Sequence, residues 1–494
     1  MSFLRAELAQ WRVSPARELM AGAVATFALI PEVIAFAFVA GVDPQVGLFA
    51  SFVIGIVIAF CGGRPAMISA AAGSVALVAA PLVATHGLPY LLAAGLLAGA
   101  VQILFGLLRL GVLMRFVSSS VRTGFVNALA VLIFAAQLPH LYGANLTTWA
   151  MLGVGLAIIY GLPRLRLPGV SAIPSPLLCI LLLTVASTAL HLPLKTVADL
   201  GKLPNALPFL QWPSVPLTLE TLRIVALPAL AIAMVGLLES LMTARVVDEL
   251  TDTPSDKNRE CTGLGIANAA ASLFGGIAGC GMIGQTVGNV KYGGRGRLST
   301  LFAGVFLLIL MVALKPWVSQ VPVVALVAIM VMVSAETFDW RSLRTVVTHP
   351  RTSSVVMLAT VAVTLLTHNL AAGVAVGVVL SGVFFTFKVA GLLQIAHGDD
   401  DGVRTYTVRG QVFFASADVF IDAFDARQVP GRTVLIDVSR AHFWDITAVA
   451  ALDKVVQRLR HHGLEVQVTG LNASSRRLMQ AHALGEDALE SSLP

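Results

Sequence analysis

The stretch Gly275-Gly276-Ile277-Ala278-Gly279-Cys280-Gly281-Met282-Ile283-Gly284-Gln285-Thr286-Val287-Gly288-Asn289 lies in a chain that is otherwise almost continuously apolar. Five of its residues between 275 and 284 are glycine, which weakens a helix and frees the backbone for irregular conformations. A membrane interior tolerates such backbone only where it is buried in protein or lines a cavity. The polar residues at 285, 286 and 289 are typical of the first turn of a short helix, whose free N–H groups suit an anion. The stretch is therefore predicted to form one wall of an anion-binding site.

The composition predicts a polytopic membrane protein. Of 494 residues, 57% are hydrophobic and only 12% are charged, and the mean hydropathy is +0.84. A soluble chain of this length does not need so many apolar residues. The net charge of +6 comes from basic residues in short loops, and no nucleic-acid-binding motif accompanies it, so no nucleic-acid partner is predicted. The four scattered cysteines predict neither a disulfide nor a metal site, and nothing in the sequence predicts a cofactor.

Fourteen apolar segments are predicted, since a hydrocarbon core of about 30 Å needs roughly 20 residues per helix. Several of them are short or interrupted by glycine. They lie near residues 20–41, 46–62, 70–86, 88–108, 121–139, 146–163, 174–192, 222–247, 259–275, 284–293, 296–314, 321–335, 353–369 and 372–391.

Residues 1–19 are predicted to be a cytoplasmic lead-in rather than a signal peptide, because no small-residue cleavage site follows their basic residues. The alternate loops that would share this side carry arginines, whereas the intervening loops carry few basic residues. This positive-inside pattern predicts a multi-pass protein of the cell membrane with both termini in the cytoplasm.

The membrane domain is predicted to span residues 20–392, and a soluble α/β domain is predicted over 399–494. A polar break, Gly398-Asp399-Asp400-Asp401-Gly402, separates the two. Residues 404–408 and 411–414 predict a hairpin around Gly410, and strands are predicted at 433–438 and 464–469, with helices at 447–461 and 474–482.

The order of several motifs resembles the sulfate permease (SulP, solute carrier 26) family of anion transporters, over nearly the whole chain. Pro31-Glu32-Val33-Ile34-Ala35-Phe36-Ala37 is similar to the first-span signature of the family, Gly124-Phe125-Val126-Asn127-Ala128 to its fifth-span motif, and Glu239-Ser240-Leu241-Met242-Thr243-Ala244 to its eighth-span pattern. The C-terminal part resembles the family's STAS domain. Its loop Asp445-Ile446-Thr447 matches a phosphorylated loop of related anti-sigma-factor antagonists, but Ile446 departs from that pattern, which favours docking of a cytoplasmic regulator.

The resemblance implies a fold of two inverted seven-segment repeats. In that fold a core domain carries the substrate site between half-helices in segments 3 and 10, and a gate domain packs against it. The resemblance also implies a homodimer, set in membrane lipid, that works by an elevator-like motion.

Glu32 and Phe36 are candidate substrate-binding residues on one face of the first span. An ionisable group inside a membrane segment is expensive and functional by default, and burial favours the protonated form of a carboxyl, so Glu32 is also a candidate for proton coupling. The family commonly has Gln at this position. The alternative for Glu32 is a structural carboxylate. The alternative for Phe36 is a ring that faces the core or the lipid, but the resemblance implies that the aromatic residue at this position lines the family's pocket.

Glu239 and Thr243 are candidates for the coupling-ion site, because the matching positions hold the ion in cation-coupled members of the family. Helical spacing places them on one face. Na⁺ would want several oxygen ligands, whereas a proton needs only the carboxyl group. The alternative is a hydrogen bond that packs two helices together.

The remaining substrate-binding candidates lie at the starts of the two half-helices: Ala72, Gly73, Ser74, Gly284, Gln285 and Thr286. Small side chains let an anion approach the backbone N–H groups, although small residues also serve close helix packing. Several members of the family have Ser-Arg where this chain has Gly284-Gln285, so a fixed positive charge is lost. This loss favours an anion that arrives together with a cation or a proton.

The predicted function is secondary active transport of a small anion, most simply a fumarate-like carboxylate or dicarboxylate, or an inorganic oxyanion, in symport with H⁺. The alternatives are a Na⁺-coupled bicarbonate or sulfate transporter, an uncoupled anion channel and a nucleobase permease, which shares the fold. An enzyme is disfavoured because the cytoplasmic part holds no nucleophile–base pair and no phosphate-binding glycine loop.

Overall fold

The computed structural model describes residues 7, 10–11, 14–112, 117–165, 175–200, 208–313, 315–348, 350–367, 369–400, 402–429 and 431–481. The chain divides into two compact units, Met1–Val378 and Val379–Pro494. The first unit is helical and the second is built around a small sheet.

In the first half of the helical unit, the described residues form seven long helices and one short strand. Proline lies in the first turn of the helices that begin at Pro15, Pro44 and Leu88, and the side chains of Ser118 and Asn145 cap the two helices that follow. The elements are α1 (Pro15–Val39), α2 (Pro44–Cys61), β1 (Ser69–Ala71), α3 (Gly73–His86), α4 (Leu88–Leu107), α5 (Ser119–Ala135), α6 (Leu146–Gly161) and α7 (Ser175–Ala189).

The second half repeats this order of elements. Thr218 and Asp256 cap its first two helices. The elements are α8 (Leu219–Thr251), α9 (Lys257–Leu273), β2 (Gly279–Gly281), α10 (Ile283–Lys291), α11 (Arg297–Ala313), α12 (Val323–Thr337), α13 (Arg351–Thr367) and α14 (Leu370–Ala390). Short helices at Val197–Leu200, Lys315–Val318 and Ser342–Thr348 lie in the connections.

The prediction of a polytopic helical membrane protein is confirmed. Seven of the described helices are long and apolar enough to cross a membrane, and five shorter apolar helices of 10–17 residues accompany them. The division into fourteen segments stays a prediction.

The helices of this unit pack in two groups. In the first group α9 packs against α4 and α2, α11 against α1 and α2, and α8 against α4. In the second group α13 packs against α5, and α12 against α5 and α6. The close approach of α4 and α9 needs glycine on both helices, because a Cβ at Gly99 would lie 2.7 Å from the carbonyl oxygen of Gly265. Contacts of α1 with α12 and of α3 with α5 join the two groups.

The second unit is a four-stranded sheet with helices, in the strand order β3-β4-β5-β6. The first two strands are antiparallel and the remaining pairs are parallel. Its buried core lies between β4, β5, β6 and the helices, and includes Tyr406, Phe420 and Leu459. The elements are β3 (Gln394–Asp400), β4 (Val403–Val412), α15 (Ala417–Asp422), β5 (Thr433–Phe443), α16 (Ile446–His461), β6 (Glu465–Thr469) and α17 (Ala473–Ala481).

The hairpin predicted around Gly410 is wrong. Residues 403–412 form one continuous strand, and Gly410 takes a φ of +112° inside it, just after a register shift between Thr407 and Arg409. Of the polar residues predicted to separate the domains, Gly398, Asp399 and Asp400 form the end of β3 and Gly402 lies in the turn to β4. The domain division itself stays a prediction. The later strands and helices of this unit lie where they are predicted.

A candidate anion site between two half-helices

A short antiparallel ladder connects the two glycine- and alanine-rich breaks. It pairs Ser69 with Gly281, Ala70 with Cys280 and Ala71 with Gly279. A Cβ at position 279 would overlap the carbonyl group of Ala70, so the ladder requires glycine there. Because each strand leads directly into a half-helix, the ladder sets the starts of α3 and α10 beside each other.

Both half-helices begin without a side-chain cap. Ala72 precedes α3 and Met282 precedes α10, each in extended backbone, and neither makes a capping hydrogen bond through its side chain. The first turn of each helix therefore presents N–H groups that have no partner within the helix. Together with the positive ends of the two helix dipoles, these groups favour the binding of an anion between the starts of α3 and α10.

Buried polar side chains hold the ladder in place. The Oδ1 of Asn268 accepts a hydrogen bond from the backbone N–H of Gly279 at 2.8 Å, while its Nδ2 donates to Oε1 of Gln102 at 2.9 Å. The backbone N–H of Gly281 donates to Oγ of Ser240 at 2.8 Å. These residues were not predicted as part of the site. A buried amide in an apolar helix does indicate a structural or functional contact, because such a group needs a hydrogen-bond partner.

A cavity of about 360 Å³ lies in front of the two helix starts. Its wall includes eight of the ten residues predicted as site residues: Glu32, Phe36, Ala72, Gly73, Ser74, Glu239, Gly284 and Gln285. The opposite wall comes from the second helix group, with Phe125, Val126, Leu129 and Ile133 on α5 and Val333, Glu336 and Thr337 on α12. The cavity therefore lies between the two helix groups.

Glu32 and Gln285 meet across the cavity from α1 and α10. The side chain of Gln285, only 5% exposed, is a hydrogen-bond partner of the half-buried Glu32. Phe36, one turn further along α1, lies over the start of α3, where a Cβ at Gly73 would come within 2.7 Å of its ring. Glycine at this position lets the aromatic ring and the helix start share the cavity wall.

Glu239 lies at the back of the cavity beside the ladder. The hydroxyl of Ser74 donates a hydrogen bond to its carboxyl group, and the thiol of Cys280 lies against the same carboxyl group. The Sγ of Cys280 is 3.9 Å from Oγ of Ser74. Glu239 is thus surrounded by hydrogen-bond donors rather than by cations.

Two predicted site residues lie behind the wall. Thr286 is fully buried, and its Oγ1 accepts a hydrogen bond from the backbone N–H of Ile68 at 2.9 Å. Thr243 is also fully buried, and its Oγ1 lies 2.7 Å from the carbonyl oxygen of Gly281 and 2.9 Å from that of Glu239. The structure places both threonines where they support the ladder.

Glu336, which was not predicted as a site residue, adds a third carboxyl group to the cavity wall. It lies near the end of α12 and is exposed, and it interacts electrostatically with Glu32. None of the described residues that line the cavity is Lys, Arg or His. The cavity thus combines helix starts that favour an anion with carboxyl groups that oppose one unless they are protonated.

Comparisons with known proteins find relatives of both parts of the chain. A model of the sulfate permease family matches residues 16–166 and 144–360, and a model of the STAS domain matches residues 395–489. YbaR of Bacillus subtilis (strain 168), which is named as a candidate sulfate transporter, is 49% identical over 474 residues, covering 96% of this chain and 98% of YbaR.

A more distant relative and a solved structure extend the comparison. The bicarbonate transporter BicA of Synechocystis sp. (strain ATCC 27184 / PCC 6803 / Kazusa) is 25% identical over 480 residues, which cover 88% of this chain and 84% of BicA. The murine anion transporter Slc26a9, solved in the inward-facing state, superposes with a TM-score of 0.85 at 18% identity, over 99% of this chain and 91% of its own. At that identity the likeness concerns the fold.

Proposed function

Because the chain belongs to the sulfate permease family, we propose that this membrane anion transporter carries a small carboxylate or dicarboxylate, such as fumarate, into the cell in symport with H⁺. The observation that supports the proposal is the composition of the cavity wall. Two uncapped helix starts face the same space as Glu32, Glu239 and Glu336, and no basic side chain among the described lining residues balances those carboxyl groups.

The size of the cavity determines how strongly a carboxylate on its wall would repel a bound anion. A sphere of about 360 Å³ has a radius of about 4 Å, so an anion at its centre lies about 5 Å from a carboxylate on the wall. At an effective dielectric constant of about 20, one such pair repels by about 3 kcal/mol, which is about a hundredfold in affinity. Protonation of a wall carboxyl removes this repulsion. Anion and proton then favour each other's binding, and this mutual preference is what symport requires.

Under this proposal the two carboxyl groups deepest in the site have different tasks. Glu32, with Gln285, lies beside the bound anion, so its protonation removes repulsion directly. Glu239 lies behind the helix starts with Ser74 and holds the coupled proton. Phe36, Ala72, Gly73 and Gly284 shape the space, and the helix N–H groups of α3 and α10 bind the anion.

The position of the cavity supports an elevator-like motion. The helices α3 and α10 pack against α8 of the first helix group, and both deep carboxyl groups lie on α1 and α8 of that group. In contrast, α5 and α12 of the second group form the opposite wall of the cavity. Movement of the first group along the second would carry the cavity from one side of the membrane to the other. The proposal includes a homodimer, both termini in the cytoplasm and a regulatory role for the C-terminal domain.

The test is uptake of labelled fumarate, sulfate and bicarbonate into proteoliposomes, with and without an acid-outside pH gradient. We expect fumarate to accumulate only with the gradient. Accumulation that ignores pH and follows an inward Na⁺ gradient would refute the proton as the coupling ion. The second candidate is Na⁺-coupled transport of bicarbonate; the relative BicA, a bicarbonate transporter, supports this substrate, and the same assay distinguishes it.

A further inference from the structure

A sulfur atom occupies the space beside Glu239 where a hard cation would need oxygen. Cys280 is fully buried, and its backbone is fixed by pairing with Ala70 in the ladder. Its thiol lies against the carboxyl group of Glu239 and 3.9 Å from the hydroxyl oxygen of Ser74. The proposed function leaves this cysteine without a role.

The oxygen atoms around this thiol are already engaged in hydrogen bonds. The carbonyl group of Gly281, which follows the cysteine, accepts from Thr243 at 2.7 Å. The carbonyl group of Gly279, which precedes it, accepts from Asn268 at 3.1 Å. The hydroxyl of Ser240 accepts from the backbone N–H of Gly281 at 2.8 Å. A carbonyl or hydroxyl oxygen that already accepts one hydrogen bond has less capacity left for a cation. Among the described atoms beside the thiol, the carboxylate oxygens of Glu239 and Oγ of Ser74 are therefore the best placed to coordinate one.

The chemistry of these atoms suits a proton better than Na⁺. Hard cations take oxygen ligands, and thiols are soft. A thiol is also a donor, so its hydrogen points toward the carboxylate and occupies space that a cation would need. A proton needs one carboxyl oxygen and no coordination shell.

Building on the proposed proton symport, we infer that Cys280 is a specificity-determining residue that restricts the coupling ion at Glu239 to H⁺ and excludes Na⁺. A serine at this position would exchange the sulfur for oxygen within the same backbone geometry. It would add a ligand for Na⁺ beside the carboxylate and Ser74.

The experiment compares wild type with Cys280→Ser and Cys280→Ala in proteoliposomes. Fumarate uptake is measured at symmetrical alkaline pH, where no proton gradient acts, with an inward gradient of Na⁺ or of choline. We expect Na⁺ to stimulate Cys280→Ser about tenfold over choline, the effect of one added contact to a charged group. Wild type and Cys280→Ala, which gains no oxygen, should not respond to Na⁺.

The outcomes separate this inference from the proposed function. If wild type and Cys280→Ser both take up fumarate with a proton gradient, but neither responds to Na⁺, the inference is overturned and proton symport stands. If wild type itself is driven by Na⁺, both are overturned. Should Cys280→Ser elute as aggregate in size-exclusion chromatography, Ala70→Ser adds an oxygen on the paired residue, and a response to Na⁺ there is expected on the same reasoning.

Discussion

Replacing Gln285 by arginine should make substrate binding less dependent on acid pH. The side chain of Gln285 is a hydrogen-bond partner of Glu32, and no basic residue lines the cavity among the residues that the structure describes. Arginine at this position would give Glu32 a permanent counter-charge. An anion would then meet a neutral ion pair at alkaline pH, where wild type presents a carboxylate.

The magnitude follows from the size of the cavity. A guanidinium group on the wall, about 5 Å from a bound anion, attracts that anion by about 3 kcal/mol at an effective dielectric constant of about 20, and so offsets its repulsion by Glu32. Removing the guanidinium group from water offsets part of this attraction. A net effect of about 2 kcal/mol, within the range for a hydrogen bond to a charged group, corresponds to roughly thirtyfold in affinity.

The assay is substrate affinity at pH 6 and pH 8, measured by competition with labelled fumarate. At pH 8 the Gln285→Arg variant should bind about thirtyfold more tightly than wild type, since about 2 kcal/mol of repulsion is gone. At pH 6 the difference should be smaller, because protonation of a wall carboxyl removes the same repulsion in wild type. Gln285→Met is the matched control, because it keeps the length of the side chain but supplies neither the charge nor the hydrogen bond.

The decisive quantity is the ratio of the affinities at the two pH values. An unchanged ratio in correctly folded Gln285→Arg protein would mean that the charge on Glu32 does not limit anion binding. The assignment of Glu32 to the substrate site would then be refuted.

Three further predictions concern other parts of the molecule. Glu239→Gln should abolish uptake driven by an acid-outside gradient while the protein still elutes as a folded species, because the amide accepts from Ser74 but cannot release a proton; unchanged coupling would contradict the assignment. Gly73→Ala should lower affinity more than Gly284→Ala, since the first new methyl group meets the ring of Phe36 at 2.7 Å and the second meets open space; equal effects in competition binding would show that the ring does not shape the site. Deletion of residues 394–494, which contain a separate hydrophobic core, should leave fumarate binding intact; loss of binding in well-folded truncated protein would give that domain a direct role.

Local sequence patterns were sufficient to predict a polytopic helical membrane protein and the break at residues 275–284. Apolar length predicts a membrane segment directly, and a run of glycines in such a segment predicts irregular backbone. The ladder between β1 and β2 was not predicted, because its partners Ser69 and Gly281 lie 212 positions apart in the sequence (281 minus 69). Tertiary packing determines such a pairing, and nothing near either residue specifies it.

The wrong prediction at Gly410 and the features that were not predicted, β3 and Glu336, also have local causes. Gly410 has the backbone freedom of a turn, but here it occupies a left-handed conformation within a strand, and periodicity cannot tell the two apart. The strand β3 is an exposed edge that ends in aspartates, so its composition resembles a linker. Glu336 follows the last apolar run of its helix, and only the packing of α12 against α1 reveals that it faces the cavity.

The ladder also determines when the site can exist during synthesis. Its two strands are separated by 212 positions (281 minus 69), and ribosomes add about 5–20 residues per second. The strand of the first repeat therefore waits on the order of ten to forty seconds for its partner. Throughout that interval the backbone groups of residues 69–71 that pair in the ladder lack their final partners, and lipid supplies none. The binding site is therefore completed only after residues 279–281 have been synthesised and have paired with this strand.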